Sequence, residues 1–500
     1  MQKIISVECM RHSDAETIRA GVSSKELMYR AGAAIFHAHS WQGKVAIVCG
    51  SGNNAGDGYV LALLLQQKQI PCTLVLLSEK FSTDGKHYYD LCRQAGIDEV
   101  LYSESFDFSP YTEIVDCILG TGFSGEVTGI YAHAIKNINA SHKFVISVDI
   151  NSGLDGNNGQ TSLCVRSDLT LSIGYYQYGH FLSKAKDCMK EKRNLDIGID
   201  LYGPSAFLVE KEELKPLFTK RLQSSHKGTY GYVTIIGGCR EYSGAVKLAN
   251  MSCAALRSGC GVATLAVPES IADSVAPYLL ESTLFPLPDK EGHMLADLDM
   301  IDRALEHRSA VAIGMGWGKS AENAKILEHI LKSHTLPIII DADGLNTLSA
   351  MDTSVFKDTK CKVVLTPHLM EFSRLSGYSI HDIEQDPIVH AMEYAKNNRV
   401  ILLLKGSCTI VTDGVEVLLV DRGCVGMATA GSGDVLSGIL CGLLGFLPYS
   451  PLSIACGAYI AGLAGELAEK EINEVSMLAS DTVAHIGKAI SMIIKQGETR

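Results

Sequence analysis

Two series of short apolar runs, each closed by a glycine or a polar side chain, constrain this chain more than any other feature. In the first half they are Lys44-Val-Ala-Ile-Val-Cys-Gly50, Pro71-Cys-Thr-Leu-Val-Leu-Leu77, Ile114-Val-Asp116 and Phe144-Val-Ile-Ser-Val-Asp149. In the second half they begin at Tyr232, Val262, Ala310, Pro337, Cys361 and Val400. Runs so short and so continuously apolar suit strands buried on both faces, the condition of a parallel sheet. Helical stretches fill the intervals, so the chain is expected to build two doubly wound α/β domains. In such sheets ligands bind in the crevice beyond the strand C-terminal ends.

Five hundred residues exceed one ordinary core, and about 150 per domain suggests two to four domains. The chain turns polar and charged between Gly203 and His226. A boundary near 210 follows, giving domains 1–209 and 210–500. The net charge of −12 argues against nucleic acid or an anionic membrane as partner. The 15 cysteines show no paired spacing. Cys9, Cys49, Cys72, Cys117 and Cys361 lie in mostly apolar surroundings and read as buried thiols, and no Cys/His cluster announces zinc. The most apolar stretch, 435–448, is too short for a membrane span of about 20 residues. Charges at the N-terminus stand where a signal peptide needs its apolar core, so a cytoplasmic protein is expected.

Helical periodicity runs from the start to His39, broken at Gly21 and restarted by a cap signal at Ser23. After the first strand, loop 50–58 carries Asn53, Asn54, Ala55, Gly56 and Asp57 ahead of a helix expected over Tyr59–Lys68. Its N–H groups, amides and carboxylate suit a phosphate or a polar ring, and equally a turn with capping Asn and Asp. Loops 120–129 and 149–155 fall at the same sheet edge.

Taken in order, Gly50-Ser-Gly-Asn-Asn-Ala-Gly-Asp-Gly58, Asp116-Cys-Ile-Leu-Gly-Thr-Gly-Phe-Ser-Gly-Glu126 and Val148-Asp-Ile-Asn-Ser-Gly-Leu-Asp-Gly156 resemble the YjeF N-terminal family, the NAD(P)H-hydrate epimerases. The likeness covers roughly residues 1–200 and includes the opening Met10-Arg11-x-x-Asp14. It implies a Rossmann-like domain that interconverts the R and S forms of hydrated nicotinamide dinucleotide. By that resemblance Asn53, Asn54, Ala55, Gly56, Asp57, Gly120, Thr121, Gly122, Phe123, Ser124, Gly125 and Glu126 hold the dinucleotide. Asp149 is the catalytic residue facing the hydrated ring, and Asn54, Asp116 and Ser152 hold a potassium ion. Ala55 stands where the family often has glycine, Asn151 where it has proline, and the segment around Gln177 lacks a usual lysine.

In the second half Ser243 begins a helix expected to run through Leu256. Gly314-Met-Gly316-Trp-Gly318 is compact enough for close backbone approach to a ligand. Asp341-Ala-Asp343 puts two carboxylates at one strand end, for magnesium or its waters, with a cap role open for Asp343. His368, isolated, is more often structural than liganding. Lys405-Gly-Ser-Cys-Thr409 can meet a phosphate. Gly431-Ser-Gly433-Asp434 opens a helix whose free N–H groups favour an anion. Asp434 is there either a cap or a general base.

These stretches, with His226-Lys-Gly-x-Tyr-Gly231, together resemble the ADP-dependent NAD(P)H-hydrate dehydratases, of ribokinase-like fold. The resemblance implies that Lys405, Gly406, Ser407, Cys408, Thr409 and Gly433 bind the nucleotide. Ala245, Gly316, His368 and Asp434 would contact the hydrated dinucleotide, with Asp434 catalytic and Mg2+ as cofactor. Ala430 replaces a usual glycine, and Arg422-Gly-Cys-Val425 an Asn-x-Gly-Asn-Pro-like approach. The expected activity is two-step repair of hydrated NADH and NADPH (NADHX, NADPHX). R is epimerised to S, then S is dehydrated as ADP becomes AMP and phosphate. Partners are these small molecules, without nucleic acid or membrane, and a homo-oligomer is compatible. A kinase of a vitamin-precursor alcohol, or a scaffolding first half, are the alternatives.

Overall fold

The structure, a computed structural model, describes residues 1–251 and 257–495. Two compact units make it up, Lys3–Ala206 and Phe207–Arg500, the latter taking in Met1–Gln2. The first carries β1 (Val45–Cys49), β2 (Cys72–Leu76), β3 (Asp98–Leu101), β4 (Glu113–Cys117), β5 (Phe144–Val148), β6 (Ser167–Ile173) and β7 (Met189–Leu195). They form one sheet in the order β3-β2-β1-β4-β5-β6-β7, every pair parallel. β1, β2 and β4 are buried along their whole length. Each fully buried Val, Ile or Leu there contributes about 1.5–3 kcal/mol.

The strand order reverses direction between β1 and β4, which opens a crevice at their C-terminal ends. Gly50 makes this closeness feasible, because a Cβ there would sit 2.0 Å from the Ile118 carbonyl oxygen. Three strands were not legible beforehand. β3 is half charged, β6 begins Ser-Asp, and β7 reads Met-Lys-Glu-Lys-Arg-Asn-Leu, an outer strand whose charges discourage further pairing. The helical opening is also corrected: Gln2–Ile5 is a strand paired with Tyr176–Gln177. Helices Val7–Arg19 and Ser24–Ala38 follow, capped by Ser6 and Ser23.

The second unit carries β8 (Ala206–Leu208), β9 (Tyr232–Ile236), β10 (Val262–Pro268), β11 (Thr283–Leu287), β12 (Ala310–Ile313), β13 (Pro337–Ile340), β14 (Lys362–Leu365), β15 (Ile401–Leu404), β16 (Thr409–Thr412) and β17 (Val417–Val420). Their order is β11-β10-β9-β12-β13-β14-β15-β16-β17-β8. Pairing is parallel from β11 to β15, then antiparallel through β16 and β17. The six expected strands are β9, β10, β12, β13, β14 and β15. The direction reverses between β9 and β12, so the turns after β9, β12, β13, β14 and β15 share one edge.

Helix Ser243–Asn250 follows β9 with Met251 as its C-cap, and the rest of the expected continuation, 252–256, lies outside the described residues. Helix Ser432–Leu444 packs on the sheet, buried from Val435 onward. Pro451–Glu471 is, among the described residues, one helix long and apolar enough to cross a membrane, a segment the sequence reading passed over. Its apolar window is 78% buried inside the protein, as befits a core helix.

Candidate active sites

The crevice of the first unit is a cavity of about 660 Å³. Asn53, Asn54 and Asp57 reach it from the first turns of helix Asn53–Gln67, which starts at Asn53 rather than Tyr59. The N-cap is Gly52 and no side chain caps the helix, so its first N–H groups are open to an anion. Gly120, Thr121, Gly122 and Phe123 line the facing wall. Ser124, Gly125 and Glu126 continue that loop into solvent and are not on the wall. Ala55 and Gly56 turn inward instead: Ala55 is buried, and a Cβ at Gly56 would lie 2.4 Å from Met28 Sδ.

Asp149 follows β5 at φ +65°, a conformation uncommon outside glycine. Its Oδ2 accepts the Thr121 N–H at 2.7 Å. Its carbonyl accepts from His180 Nε2 at 2.8 Å, while burial pulls the His180 imidazole down to about 4 and keeps it neutral. Burial likewise raises the Asp149 carboxyl, against the hydrogen bonds from Thr121. Two more acids share the cavity. Asp57 is pushed well up by burial and by the charges of Asp149 and Asp14. Asp14 is pushed up to about 6 by burial and by Asp149. Three carboxyls in one crevice cannot all ionise cheaply, so protonated and ionised forms coexist there near neutral pH.

Asp14 and Arg11 were not proposed from the sequence. The signal was present, because their i,i+3 spacing on helix Val7–Arg19 puts both on the face toward the cavity. Gln177, at the missing lysine, is fully buried and donates to the Tyr175 carbonyl at 2.6 Å.

Asn54, Asp116 and Ser152 meet around the Leu119 peptide. Asn54 Nδ2 donates to the carbonyls of Leu119 (3.1 Å) and Val148 (3.2 Å). Ser152 Oγ lies 2.5 Å from Asp116 Oδ1 and accepts the Leu119 N–H at 2.8 Å. Asp116 is fully buried and also accepts from Ser147 Oγ and from the Ser152 and Ile118 N–H groups. Asn54 Oδ1, in contrast, is buried without a partner.

In the second unit the named turns converge. Gly316, at φ +59°, packs so tightly that a Cβ would lie 2.4 Å from the Tyr242 carbonyl and 2.9 Å from Ala245 Cβ. Asp343 Oδ2 accepts the Gly318 N–H at 2.8 Å, which ties the glycine turn to β13. Ala342 is the N-cap of helix Asp343–Ser349, so Asp343 does not cap it. His368 does cap: its Nδ1 accepts from the Met370 and Glu371 N–H groups, and Glu371 Oε2 accepts from the His368 N–H. The structural reading of His368 thus has a geometry, and the half-exposed ring has its Nε2 3.6 Å from Glu371 Oε2.

Lys405 Nζ stands 3.0 Å from Asp341 Oδ1 and 3.8 Å from Glu371 Oε2. Asp341, 2% exposed, also accepts from Ser437 Oγ at 2.7 Å. Burial works against the lysine's charge, but Asp341, Glu371 and Asp434 hold its pKa above the ordinary value. Lys405 to Thr409 form the hairpin turn from β15 to β16, with Gly406 and Ser407 exposed and Cys408 buried. A Cβ at Gly433 would stand 3.6 Å from both Asp341 Oδ2 and Lys405 Nζ, so the helix start and the ion pair adjoin.

Gly431, at φ +95°, is the N-cap of helix Ser432–Leu444, with no side-chain cap. Asp434 sits in the first turn, where burial and the charges of Asp341 and Asp343 push it up to about 7 against the pull of Lys405. Between the two readings open for Asp434, the geometry leaves out the N-cap. Arg422 bonds Glu466 and Tyr459 at 3.0 and 2.8 Å, bracing the approach to this helix. Against expectation, a Cys/His group does form: Cys239, Glu241 and His293 bring their ligand atoms within 4.8 Å of one another beside Gly318.

The comparisons with known proteins cover both units. Residues 233–488 match the family model described as NAD(P)H-hydrate dehydratase, and residues 24–179 the one described as YjeF-related protein N-terminus. The bifunctional NAD(P)H-hydrate repair enzyme Nnr of Moorella thermoacetica is 32% identical over 96% of this chain and 94% of its own. The enzyme of the same name from Coxiella burnetii is 32% identical, over 95% and 97%. The chain belongs to the bifunctional NAD(P)H-hydrate repair enzyme family. The Escherichia coli repair enzyme is 30% identical over 94% of this chain and 90% of its own. Among solved structures, a ribokinase-like superfamily protein of Enterococcus faecalis superposes with a TM-score of 0.51 at 25% identity, over 59% of this chain and 98% of its own. An ADP/ATP-dependent NAD(P)H-hydrate dehydratase of Bacillus subtilis shares the fold at 0.50 and 24%, over 58% and 99%. The repair enzyme's second unit is thus ribokinase-like.

Proposed function

We propose that residues 1–209 epimerise NAD(P)HX and residues 210–500 dehydrate its S form with ADP, each at the crevice described above. The observation that carries the second assignment is an uncapped helix start holding a carboxyl poised near pH 7 beside a lysine–aspartate pair. Hydroxide is a poor leaving group at neutral pH, so the hydrate's hydroxyl is first made a phosphate ester. Asp434 takes the hydroxyl proton as its oxygen attacks the terminal phosphorus of ADP, and AMP departs. N–H groups of 431–434 and Lys405 face the transferred negative charge. The ring nitrogen's lone pair then expels phosphate, and loss of a proton from the adjacent ring carbon restores the dihydropyridine. Ala245, Gly316 and His368 bound the hydrate, and 405–409 with Gly433 the nucleotide.

Mg2+ neutralises phosphate charge when bound. Both oxygens of Asp341 already have protein partners, so Asp341 and Asp343 would hold Mg2+ through its waters. In the first unit Asp149 faces the hydrated ring, with Asp57 and Asp14 as its acid neighbours, and Asn53, Asn54 and Gly120–Phe123 hold the dinucleotide. The orphaned Asn54 Oδ1 and the Leu119 and Val148 carbonyls, which accept from Asn54 Nδ2, would offer hard oxygens to K+. Asp116, whose oxygens already accept from Ser147, Ser152 and the Ile118 N–H, would with Ser152 hold the loop and contribute its charge. Bound there, K+ would tie the two loops together and supply positive charge to the site.

Cross-comparison of two variants tests the division of labour. Asp149→Asn should stop epimer exchange while S-hydrate still regains reduced-nicotinamide absorbance with ADP. Asp434→Asn should do the reverse. Accumulation of a stable phosphorylated product by the wild type would instead identify a kinase.

A further inference from the structure

The second unit holds a cluster that the repair chemistry does not use. Asp302, on helix Leu298–Leu305, has its Oδ1 2.7 Å from His329 Nε2 and 2.8 Å from His334 Nε2. His329 is in the last turns of helix Ala321–Ser333, and His334 is that helix's C-cap. The three ligand atoms lie within 4.8 Å of one another. Helix Ala321–Ser333 leaves the catalytic edge after β12 and returns the chain to the start of β13. Its C-terminal end therefore lies at the edge opposite Asp434.

A carboxylate oxygen can accept from two donors, and here both imidazoles meet on Asp302 Oδ1, so two ring nitrogens and a carboxylate oxygen surround one point. The histidines are also held in place. The His334 N–H donates to the Ile330 carbonyl at 3.1 Å, its carbonyl accepts from Cys361 Sγ at 3.2 Å, and His329 Nδ1 lies 3.4 Å from Ser333 Oγ. Both histidine side chains are 18% exposed and that of Asp302 48%, so solvent reaches the cluster and the carboxylate is its movable member. A tetrahedral ion with bonds of about 2.0–2.2 Å spaces its ligands roughly 3.3 Å apart, which Asp302 meets by withdrawing roughly half an ångström.

We propose that Asp302, His329 and His334 bind a divalent transition metal of the Zn2+ type, clamping helix Leu298–Leu305 to the end of helix Ala321–Ser333. Two imidazoles with one carboxylate suit Zn2+ or its first-row neighbours, whereas Mg2+ and Ca2+ prefer all-oxygen sets. Three protein ligands leave the fourth position to water.

The test uses the untagged full-length chain, stripped with a chelator and titrated with Zn2+ by calorimetry and with Co2+ by visible absorption. The expected result is one Zn2+ per chain at this site, a rise in Tm on loading, and cobalt bands without a thiolate charge-transfer component. His329→Ala should weaken binding at least tenfold, on the order of what lost ligation or its support costs. Asp302→Asn keeps an oxygen that can accept from both imidazoles but removes the anionic ligand, so it should lose the metal while preserving the fold. It carries the test if the alanine variant does not fold. No Zn2+ uptake, uptake undiminished in Asp302→Asn, or a thiolate band placing the ion at Cys239 would each overturn the proposal.

Discussion

Replacing Asp434 by asparagine should make the second unit more stable while abolishing dehydration. The carboxyl's rise from 3.8 to about 7 means that the folded protein disfavours its ionised form. At about 1.4 kcal/mol per pH unit the ceiling on that cost is roughly 4 kcal/mol, and partial exposure to solvent brings it nearer to about 2 kcal/mol. The sign follows from the direction of the shift. Below about pH 4 the group is protonated in folded and unfolded chains alike, and the cost is absent. It grows as pH rises through the interval from about 4 to about 7, and above that it is complete. Asparagine carries no charge at any of these pH values. Chemical unfolding of wild type and Asp434→Asn at pH 5, 6, 7 and 8 should therefore show the variant's advantage widening with pH. At the same time kcat for S-hydrate should fall on the order of 10²–10⁴-fold. Wild-type kcat/KM should climb with pH to a plateau above about 7. A variant less stable than wild type at pH 8, or an advantage independent of pH, would refute the reasoning.

Three further outcomes can be checked with similar assays. Lys405→Met leaves Asp341 buried without its cation, so stability should drop by about 3–5 kcal/mol in a denaturant titration. Gly120→Ala places a Cβ 2.6 Å from Asp149 Oδ2, a movable carboxylate end, so epimer exchange should slow with little change in melting temperature or in S-hydrate dehydration. Asn54→Leu removes the orphaned amide oxygen, and epimer exchange should lose any difference between K+ and Na+ buffers; a K+ dependence kept by the variant would count against the ion site.

The strands that position both crevices were legible because they are buried on both faces and end in glycine. β7 and β3 were not, since an outer or half-exposed strand carries charges that look like loop. β16 and β17 were missed for another reason: the hairpin after Lys405 reverses direction, and neither apolar run was set apart by a helix. At the sites, the motifs pointed to turns that the fold brings together, but not to the partners within them. Lys405 was expected to meet phosphate, yet its first partner is Asp341, and Ser437, one helical turn beyond Asp434, completes that contact. The i,i+3 pair Arg11 and Asp14 faces the first cavity from a helix that precedes the sheet altogether. The Lys405–Asp341–Ser437 contacts join residues far apart in the chain and local spacing carries no trace of them, whereas the spacing of Arg11 and Asp14 marks one helix face without saying what that face meets.

The central claim is that one chain performs both steps in sequence. A mixture of R and S hydrates supplied with ADP or ATP, followed by reduced-nicotinamide absorbance, tests it most directly. The account predicts full recovery by the wild type, and recovery of the S fraction alone by Asp149→Asn. Recovery that stops at the S fraction in the wild type, or full recovery by the variant, would contradict it.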